Sequence, residues 1–222
     1  MSRYQSITRV EPGILETNKV LRNTYALLAM TLLFSAAAAG LSMTLNLPYP
    51  GFIVTIAVYF GLLFLTNKFS NSAWGILFVF ALTGFLGMTL GPILNFYIHS
   101  IHNGEQLVMT ALGGTGLIFV GLSAYALISR KDFSFMGGML MAGILVAFLA
   151  GILTLFFPMP GLQIAVSAMF ILLMSGMILF QTSEIIHGGE TNYILATVTL
   201  YVSIFNLFTS LLQLLGILGG DD

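Results

Sequence analysis

Cysteine is absent from the 222-residue chain, and charged residues are scarce. Without thiols, the protein has no disulfide, no thiolate nucleophile and no cysteine-ligated metal. Asp, Glu, Lys and Arg make up 7% of the residues, whereas soluble domains carry roughly 25%. Seven basic residues and a net charge of −1 leave no basic surface for a nucleic acid backbone. The composition therefore argues against an ordinary soluble domain and against a nucleic acid partner.

Motifs that identify enzymes are also missing. The sequence has no His-Glu-x-x-His, no Gly-x-Ser-x-Gly and no phosphate-binding loop. The three histidines all lie in predicted loops between membrane spans, so the spans themselves have no imidazole to act as a general base. His99, His102 and Glu105 have a spacing that could hold a metal, but two His and one Glu in a loop are a weak signal. We expect no enzyme, no cofactor and no metal.

Long apolar runs dominate what is present. Hydrophobic residues make up 58% of the chain, and the mean hydropathy is +1.00. Each uncharged run exceeds the roughly 20 residues that cross a bilayer. Lipid admits only helices or closed barrels, and the runs show no strand-like alternation. The sequence thus predicts an all-α polytopic integral membrane protein whose first partner is the lipid bilayer. The uncharged runs are residues 23–67, 69–104, 106–129, 133–183 and 191–220.

Prolines divide the longer runs into separate helices. Pro48 and Pro50 break the first run, Pro158 and Pro160 break the fourth, and Gly91-Pro92 is expected to kink or end a helix before a loop at residues 99–105. The result is a seven-helix transmembrane domain over residues 23–220, preceded by a polar tail at residues 1–22. The predicted spans lie near residues 24–45, 51–67, 72–91, 106–129, 134–157, 161–184 and 193–218.

Basic residues predict the orientation of these spans. With seven spans, all the basic residues fall on one side, namely Arg3, Arg9, Lys19, Arg22, Lys68, Arg130 and Lys131. The opposite loops and the C-terminal Asp221-Asp222 contain no Lys or Arg. The positive-inside rule then places the N-terminus in the cytoplasm and the C-terminus outside. A six-span or eight-span arrangement would move the C-terminus to the cytoplasm.

The N-terminus has an alternative interpretation as a secretory signal peptide. A short apolar core at residues 25–34 is followed by small residues at 35–39, as in a cleavable signal. The tail, however, is long and carries Glu11 and Glu16, and the apolar stretch continues to Leu47. An uncleaved first span is the better interpretation.

Small and polar residues follow helical spacing inside several spans. Gly87 and Gly91 in span three, and Gly143, Ala147 and Gly151 in span five, are four residues apart. Such spacing favours close approach of helix backbones within the bundle. Span seven carries a polar stripe, which should face protein or water. It supports either interhelical hydrogen bonds or a wet pathway. Its members are Thr199, Ser203, Asn206, Ser210 and Gln213.

Span six ends with two polar side chains one turn apart, Gln181 and Glu184. An ionisable residue at the edge of a span is a functional candidate, although it can simply reach into water. The following segment, His187-Gly188-Gly189-Glu190, is expected to be a glycine-bent turn.

Several segments together resemble the transmembrane Bax-inhibitor-motif family. Residues 83–93 are similar to its third-span signature, and residues 130–135 to its basic turn before span five. Residues 180–186 and 200–208 are similar to its signatures in the last two spans. The resemblance implies seven helices wrapped around the last one, in agreement with the polar stripe.

The resemblance also implies a second function, a calcium leak gated by pH through two aspartates in the last two spans. On the matching motifs those positions are Gln181 and Ser203, which do not titrate near neutral pH. Glu184 could substitute for one carboxylate, so any leak should be weakly pH-sensitive. The candidate latch or pathway residues are Gln181, Glu184, Ser203, Asn206 and Lys68.

Two further segments, residues 18–25 and 185–193, look most similar to the enterobacterial member of the family. That resemblance implies a modulator and slow substrate of FtsH, the membrane-anchored ATP-dependent protease, located in the bacterial inner membrane. The expected function is thus a non-enzymatic partner of membrane-protein quality control, with a calcium or cation leak channel as the alternative.

Overall fold

The structure is a computed structural model that describes residues 14–157 and 159–219, with side chains described from residue 18. Seven α-helices and one short 3-10 helix account for most of these residues, and the described part contains no strand. The predicted all-α class is therefore confirmed. The helices are α1 (Ile14–Thr44), α2 (Phe52–Lys68), α3 (Ala73–Ser100), α4 (Gly104–Ser129), the 3-10 helix η1 (Ser134–Met136), α5 (Gly137–Phe156), α6 (Pro160–Ile186) and α7 (Tyr193–Gly219).

Six of the α-helices are long and apolar enough to cross a membrane, and α2 is a shorter apolar helix of 17 residues. At about 1.5 Å per residue, a helix of that length rises about 25 Å, at the lower limit for a span. The described residues thus provide six to seven membrane-spanning helices. α1 begins at Ile14, ahead of the predicted first span, because the segment with Glu16, Lys19 and Arg22 that precedes the span is also helical.

The predicted breaks at the two Pro-x-Pro segments are confirmed. α1 ends at Thr44 and α2 begins at Phe52, on either side of Pro48 and Pro50. Pro160 occupies the first turn of α6, where its missing N–H has no helical partner to lose. Pro158 itself lies outside the described residues.

Of the two outcomes predicted at Gly91-Pro92, a kink or a helix end, the helix end is wrong, because α3 continues through Pro92 to Ser100. A proline inside a helix leaves the carbonyl four residues earlier without its N–H donor. That carbonyl belongs to Met88, and the Ser42 Oγ of α1 donates to it at 2.8 Å. A neighbouring helix therefore supplies the missing donor. The predicted loop at 99–105 shrinks to three residues between α3 and α4.

Close packing of α1 on α3 confirms the prediction from the glycine spacing. A Cβ at Gly87 would overlap the backbone carbonyl oxygen of Ser35, and one at Gly91 would overlap the Ser42 side chain. In α5, a Cβ at Gly143 would overlap Leu173 of α6. The small residues thus permit contacts between helices of the same chain.

α7 is the most buried of the long helices and α5 the least. In their most apolar windows, 61% of α7 but 11% of the α5 segment is buried. α7 packs against α1, α2, α3, α4 and α6, whereas α5 packs mainly against α6. The largest buried cluster joins α7 to α1 and α3, with Tyr201 and Leu200 packed against Leu28 and Leu82.

Side-chain hydrogen bonds place three connections at one end of the bundle. Asn192, just before α7, donates to the Ser70 carbonyl in the α2–α3 connection. His187, just after α6, contacts the Arg130 carbonyl in the α4–α5 connection. Lys68, Arg130 and Lys131 lie in or beside these connections and are exposed, so we call this the basic end.

Candidate functional site

Two of the sequence-predicted residues, Gln181 and Ser203, lie in the buried contact between α6 and α7. They are 5% and 2% exposed. The helices are antiparallel neighbours, and Ile178 packs with Leu207 in one cluster. Gln181 follows Ile178 by about one turn, and Ser203 precedes Leu207 by about one turn. Because the two helices run in opposite directions, Gln181 and Ser203 lie at a similar level, one turn nearer the basic end. The structure thus places both side chains between the same two helices.

The hydrogen bonding of these two side chains differs. Ser203 Oγ donates to the Thr199 carbonyl of its own helix at 2.7 Å. Gln181 Nε2 is buried and has no hydrogen-bond partner among the described residues. A buried polar group without a partner raises the free energy of the folded state. Gln181 is therefore the unsatisfied member of the pair.

Asn206, Glu184 and Lys68 do not join this pair in one cluster. Asn206 is half-buried and donates to the Val202 carbonyl of its own helix at 2.8 Å. The Glu184 carboxylate lies against the backbone at Gly189, in the turn that follows α6. Lys68 is exposed at the end of α2, with its Nζ 5.8 Å from the ring centroid of Phe69.

The polar stripe of α7 is partly confirmed as a buried surface. Ser203 and Ser210 are buried, and Thr199 and Asn206 are half-buried. Gln213 is exposed, so the stripe is no longer buried toward the C-terminal end of α7. The hydrogen bonds of Ser203 and Asn206 stay within α7. In the described structure these two residues therefore do not supply the interhelical bonds expected of the stripe.

A different α7 side chain supplies the interhelical hydrogen bonds. Tyr201 is 1% exposed, and its hydroxyl donates to the Thr83 carbonyl of α3 at 3.2 Å. Ser35 Oγ of α1 lies 2.6 Å from the same hydroxyl. Because the phenol has one proton, Ser35 is the donor when Tyr201 donates to Thr83. This three-helix junction was missed because a tyrosine in an apolar run gives no sign of its partners.

A second polar junction lies near the basic end, beside Gln181 in sequence. Tyr25 of α1 shares a hydrogen bond of 3.2 Å with Thr182, the neighbour of Gln181 in sequence. Thr197 of α7 donates to the Thr24 carbonyl at 3.2 Å. Gln181 thus lies where α1, α6 and α7 meet. These bonds position buried polar groups and join α1 to both α6 and α7.

Hydrogen bonds attach the α4–α5 connection to the C-terminal end of α6. The Phe133 backbone N–H donates to Ser183 Oγ at 2.9 Å, and that hydroxyl in turn donates to the Lys131 carbonyl at 3.3 Å. The His187 ring contacts the Ser183 carbonyl through Nδ1 at 2.9 Å and the Arg130 carbonyl through Nε2 at 3.1 Å. A neutral imidazole can donate to only one of these carbonyls. We call this group of contacts the α6 clamp.

The turns at the basic end follow familiar capping rules. Gly188 has φ 75°, and the N–H groups of Gly188 and Gly189 bond to the carbonyls of Ile185 and Glu184. This is the glycine-ended helix terminus that the sequence predicted. Asn192 Oδ1 accepts from Ile194 N–H at 2.9 Å and so caps α7. An asparagine immediately before an apolar run is a signal that could have identified this cap.

Asp132 is the acidic group of the α4–α5 connection. Its pKa lies below the ordinary value, chiefly because the Ser134 backbone N–H donates to its carboxylate at 2.8 Å. The Ser134 side chain and the nearby His187 lower the pKa further. The carboxylate thus stays ionised at neutral pH and supports the start of η1. The described residues contain no cluster of three His, Asp or Glu side chains that could hold a metal.

The family model described as inhibitor of apoptosis-promoting Bax1 matches residues 17–220 of this chain. The chain belongs to this Bax1-inhibitor family. The match includes all seven apolar helices and the α6–α7 contact that holds Gln181 and Ser203.

Individual members of the Bax1-inhibitor family are similar over nearly the whole chain. The protein named modulator of FtsH protease YccA, from Escherichia coli strain K12, is 54% identical over the full length of both chains. The relative in Escherichia coli strain CFT073, named inner membrane protein YccA, has the same identity. A Pseudomonas aeruginosa protein is 56% identical over 93% of both chains. The printed names connect the first of these relatives to FtsH and the second to the inner membrane.

Proposed function

We propose that this protein is a non-enzymatic modulator of the membrane-anchored FtsH protease, which it occupies as a slow substrate in the bacterial inner membrane. The observation that carries the proposal is the full-length identity of 54% to the relative named as a modulator of that protease. The non-enzymatic part of the proposal is supported by the name of that relative, which is a modulator of a protease.

We also propose that seven helices span the membrane, with α7 in the centre and the basic end in the cytoplasm. The burial of α7 and its contacts with five other helices support the central position. The exposed cations at the basic end support the orientation through the positive-inside rule. The short α2 is long enough to cross if the bilayer is thin or the helix is upright.

The topology has a direct test. A reporter enzyme that works only outside the cytoplasm is expected to be active when it is fused after Asp222, because seven spans carry the C-terminus across the membrane. The matched control is the same reporter inserted between Arg130 and Asp132, where it should be inactive. Activity of a cytoplasm-only reporter after Asp222 would contradict seven spans.

The polar tail at residues 1–20 is the proposed handle for the protease. Its residues 1–13 lie outside the described part of the structure, so the proposal comes from polarity and orientation. Exposed, polar termini are where proteases engage a chain.

Deleting residues 2–12 while keeping Lys19 and Arg22 is expected to lengthen the half-life of the protein several-fold. The protease would lose the segment that it engages, whereas Lys19 and Arg22, the basic residues nearest the first span, still direct the topology. Half-life is measured after synthesis is blocked, in cells with and without active FtsH. A control tail of the same length and scrambled polar sequence should restore rapid turnover. An unchanged half-life in the correctly inserted deletion variant would contradict the handle.

A cation leak is the second candidate function. The observation that favours it is the pair of buried polar side chains, Gln181 and Ser203, between α6 and α7. Neither side chain ionises near neutral pH, so such a leak would lack a two-carboxylate latch. Calcium entry into dye-loaded proteoliposomes distinguishes this candidate from the protease modulator.

A further inference from the structure

Side-chain hydrogen bonds attach α1 to three other helices along its apolar length. Near the basic end, Tyr25 bonds to Thr182 of α6, and the Thr24 carbonyl accepts from Thr197 of α7. In the middle, Ser35 bonds to Tyr201 of α7. Toward the far end, Ser42 donates to the Met88 carbonyl, and Asn95 Nδ2 of α3 donates to the Met43 carbonyl at 3.2 Å.

Backbone packing reinforces these bonds. α1 and α3 approach so closely at Gly87 and Gly91 that neither position has room for a Cβ. The contact also explains why α3 tolerates Pro92, since Ser42 supplies the donor that the Met88 carbonyl would otherwise lack. Removing α1 would therefore expose an unsatisfied carbonyl inside α3. Extraction of α1 would in this way also destabilise α3 around Pro92.

α5 lies at the other extreme. Only 11% of its most apolar window is buried, and its described side-chain hydrogen bond, from Thr154 to the Gly151 carbonyl, stays within the helix. The attachment of the helices is thus uneven, and α1, the first helix of the chain, is held by far more interhelical contacts than α5.

We propose that the attachment of α1 to its neighbours sets how slowly an ATP-driven protease can pull this chain from the membrane. We call this attachment the extraction lock. Its residues are Ser35 and Ser42 of α1, Gly87 and Gly91 of α3, and Tyr201 of α7. The inference rests on the proposed function, because it concerns a protease that pulls from the N-terminal tail. The tail leads directly into α1, so the first helix to be pulled is one that hydrogen bonds and close packing join to α3, α6 and α7. The motor meets this barrier at the first step, and the protease stays occupied while that barrier holds.

The test combines proteolysis with mechanical unfolding. The variants Tyr201→Phe and Ser35→Ala each remove one side of the central bond while preserving shape. Full-length protein and purified FtsH are reconstituted together in liposomes, and degradation is followed with ATP. Ser35→Ala is expected to be degraded about threefold faster, the factor that corresponds to one interhelical hydrogen bond in a membrane. Tyr201→Phe also removes the bond to the Thr83 carbonyl of α3 and should be degraded faster still. Single-molecule pulling from the N-terminus should show a lower force for extraction of α1.

Two controls separate a lock from general stability. Ser183→Ala loosens the α6 clamp, which does not involve α1. It should lower thermal stability without changing the α1 extraction force or the degradation rate. Tyr125→Phe removes the hydroxyl of a 46% exposed tyrosine and should change neither property.

Each outcome supports or contradicts a named proposal. If Tyr201→Phe and Ser35→Ala both leave the α1 extraction force and the degradation rate unchanged, the extraction lock is overturned. Equal acceleration by Ser183→Ala would also overturn it, because loss of stability alone would then explain the rate. A reduced force with unchanged degradation would show that α1 does not limit proteolysis, and would overturn its regulatory role. If FtsH does not degrade the wild-type protein but the force falls as expected, the protease proposal fails while the mechanical attachment of α1 stands.

Discussion

Replacing Gly87 with leucine is expected to abolish accumulation of the folded protein. Even the first atom of the new side chain would overlap the carbonyl oxygen of Ser35, and Ser35 Oγ lies 2.8 Å from the same position. Overpacked side chains typically cost about 1–3 kcal/mol when neighbours can move. Here the obstacle is the backbone of α1, so the penalty should exceed that range and approach the roughly 5–15 kcal/mol that stabilises a typical domain.

The matched control for this substitution is Gly113→Leu in α4. A Cβ at Gly113 has no neighbouring atom within 4 Å, so the larger side chain is expected to be accommodated. Folded protein is measured by monodisperse elution in detergent and by the thermal unfolding midpoint. Similar yields and midpoints for Gly87→Leu and Gly113→Leu would contradict the close packing of α1 on α3.

The second large effect is expected when Gln181 and Ser203 are replaced together by aspartate. Both positions are almost fully buried between α6 and α7. An ionised carboxylate inside a membrane costs about 3 kcal/mol by insertion measurements, so two of them should lower the free energy of unfolding by about 6 kcal/mol at neutral pH. Protonation removes this charge, and two close carboxylates can share a proton. The lost stability should therefore return as the pH falls.

Thermal unfolding across a pH series measures this effect, with Gln181→Asn and Ser203→Ala as uncharged controls. The same proteins in calcium-dye liposomes test the cation leak. The double aspartate variant should show pH-dependent entry, whereas the wild type should not, apart from a dependence that Glu184→Gln removes. Steep pH gating in the wild type that survives Glu184→Gln would contradict the importance of these two positions.

The protease and leak proposals depend on different parts of the bundle. The lock lies on α1, α3 and Tyr201 of α7, whereas the candidate latch lies between α6 and α7. Variants of one site can therefore be assayed for the other function. If a lock variant is degraded faster but its calcium flux is unchanged, resistance to the protease and the cation leak belong to separate regions of the bundle.

Much of the fold could be predicted because its signals are local. Apolar run length, the absence of strand periodicity and the Pro48 and Pro158 segments were enough to predict seven apolar helices and most of their ends. The same local rules failed at Pro92, where a serine 50 residues away in sequence compensates for the missing N–H. A local rule has no access to such a donor.

The candidate site was only partly predictable for the same reason. The helical spacing of α7 indicated a polar stripe, and Ser203 and Ser210 are indeed buried. The spacing gave no indication that Ser203 bonds to its own helix, or that Tyr201 supplies the link to α1 and α3. Both facts depend on how far each helix is rotated about its axis.

The sequence by itself determined that the chain is helical, that it belongs in a bilayer and that its basic residues gather at one end. Those properties follow from the transfer of residues between water and lipid, which depends on composition and spacing along one segment. Only the tertiary structure decided which polar groups meet, because interhelical hydrogen bonds need the register and rotation of two helices at once. The attachment of α1 through Ser35, Ser42 and Gly87 is a property of that arrangement.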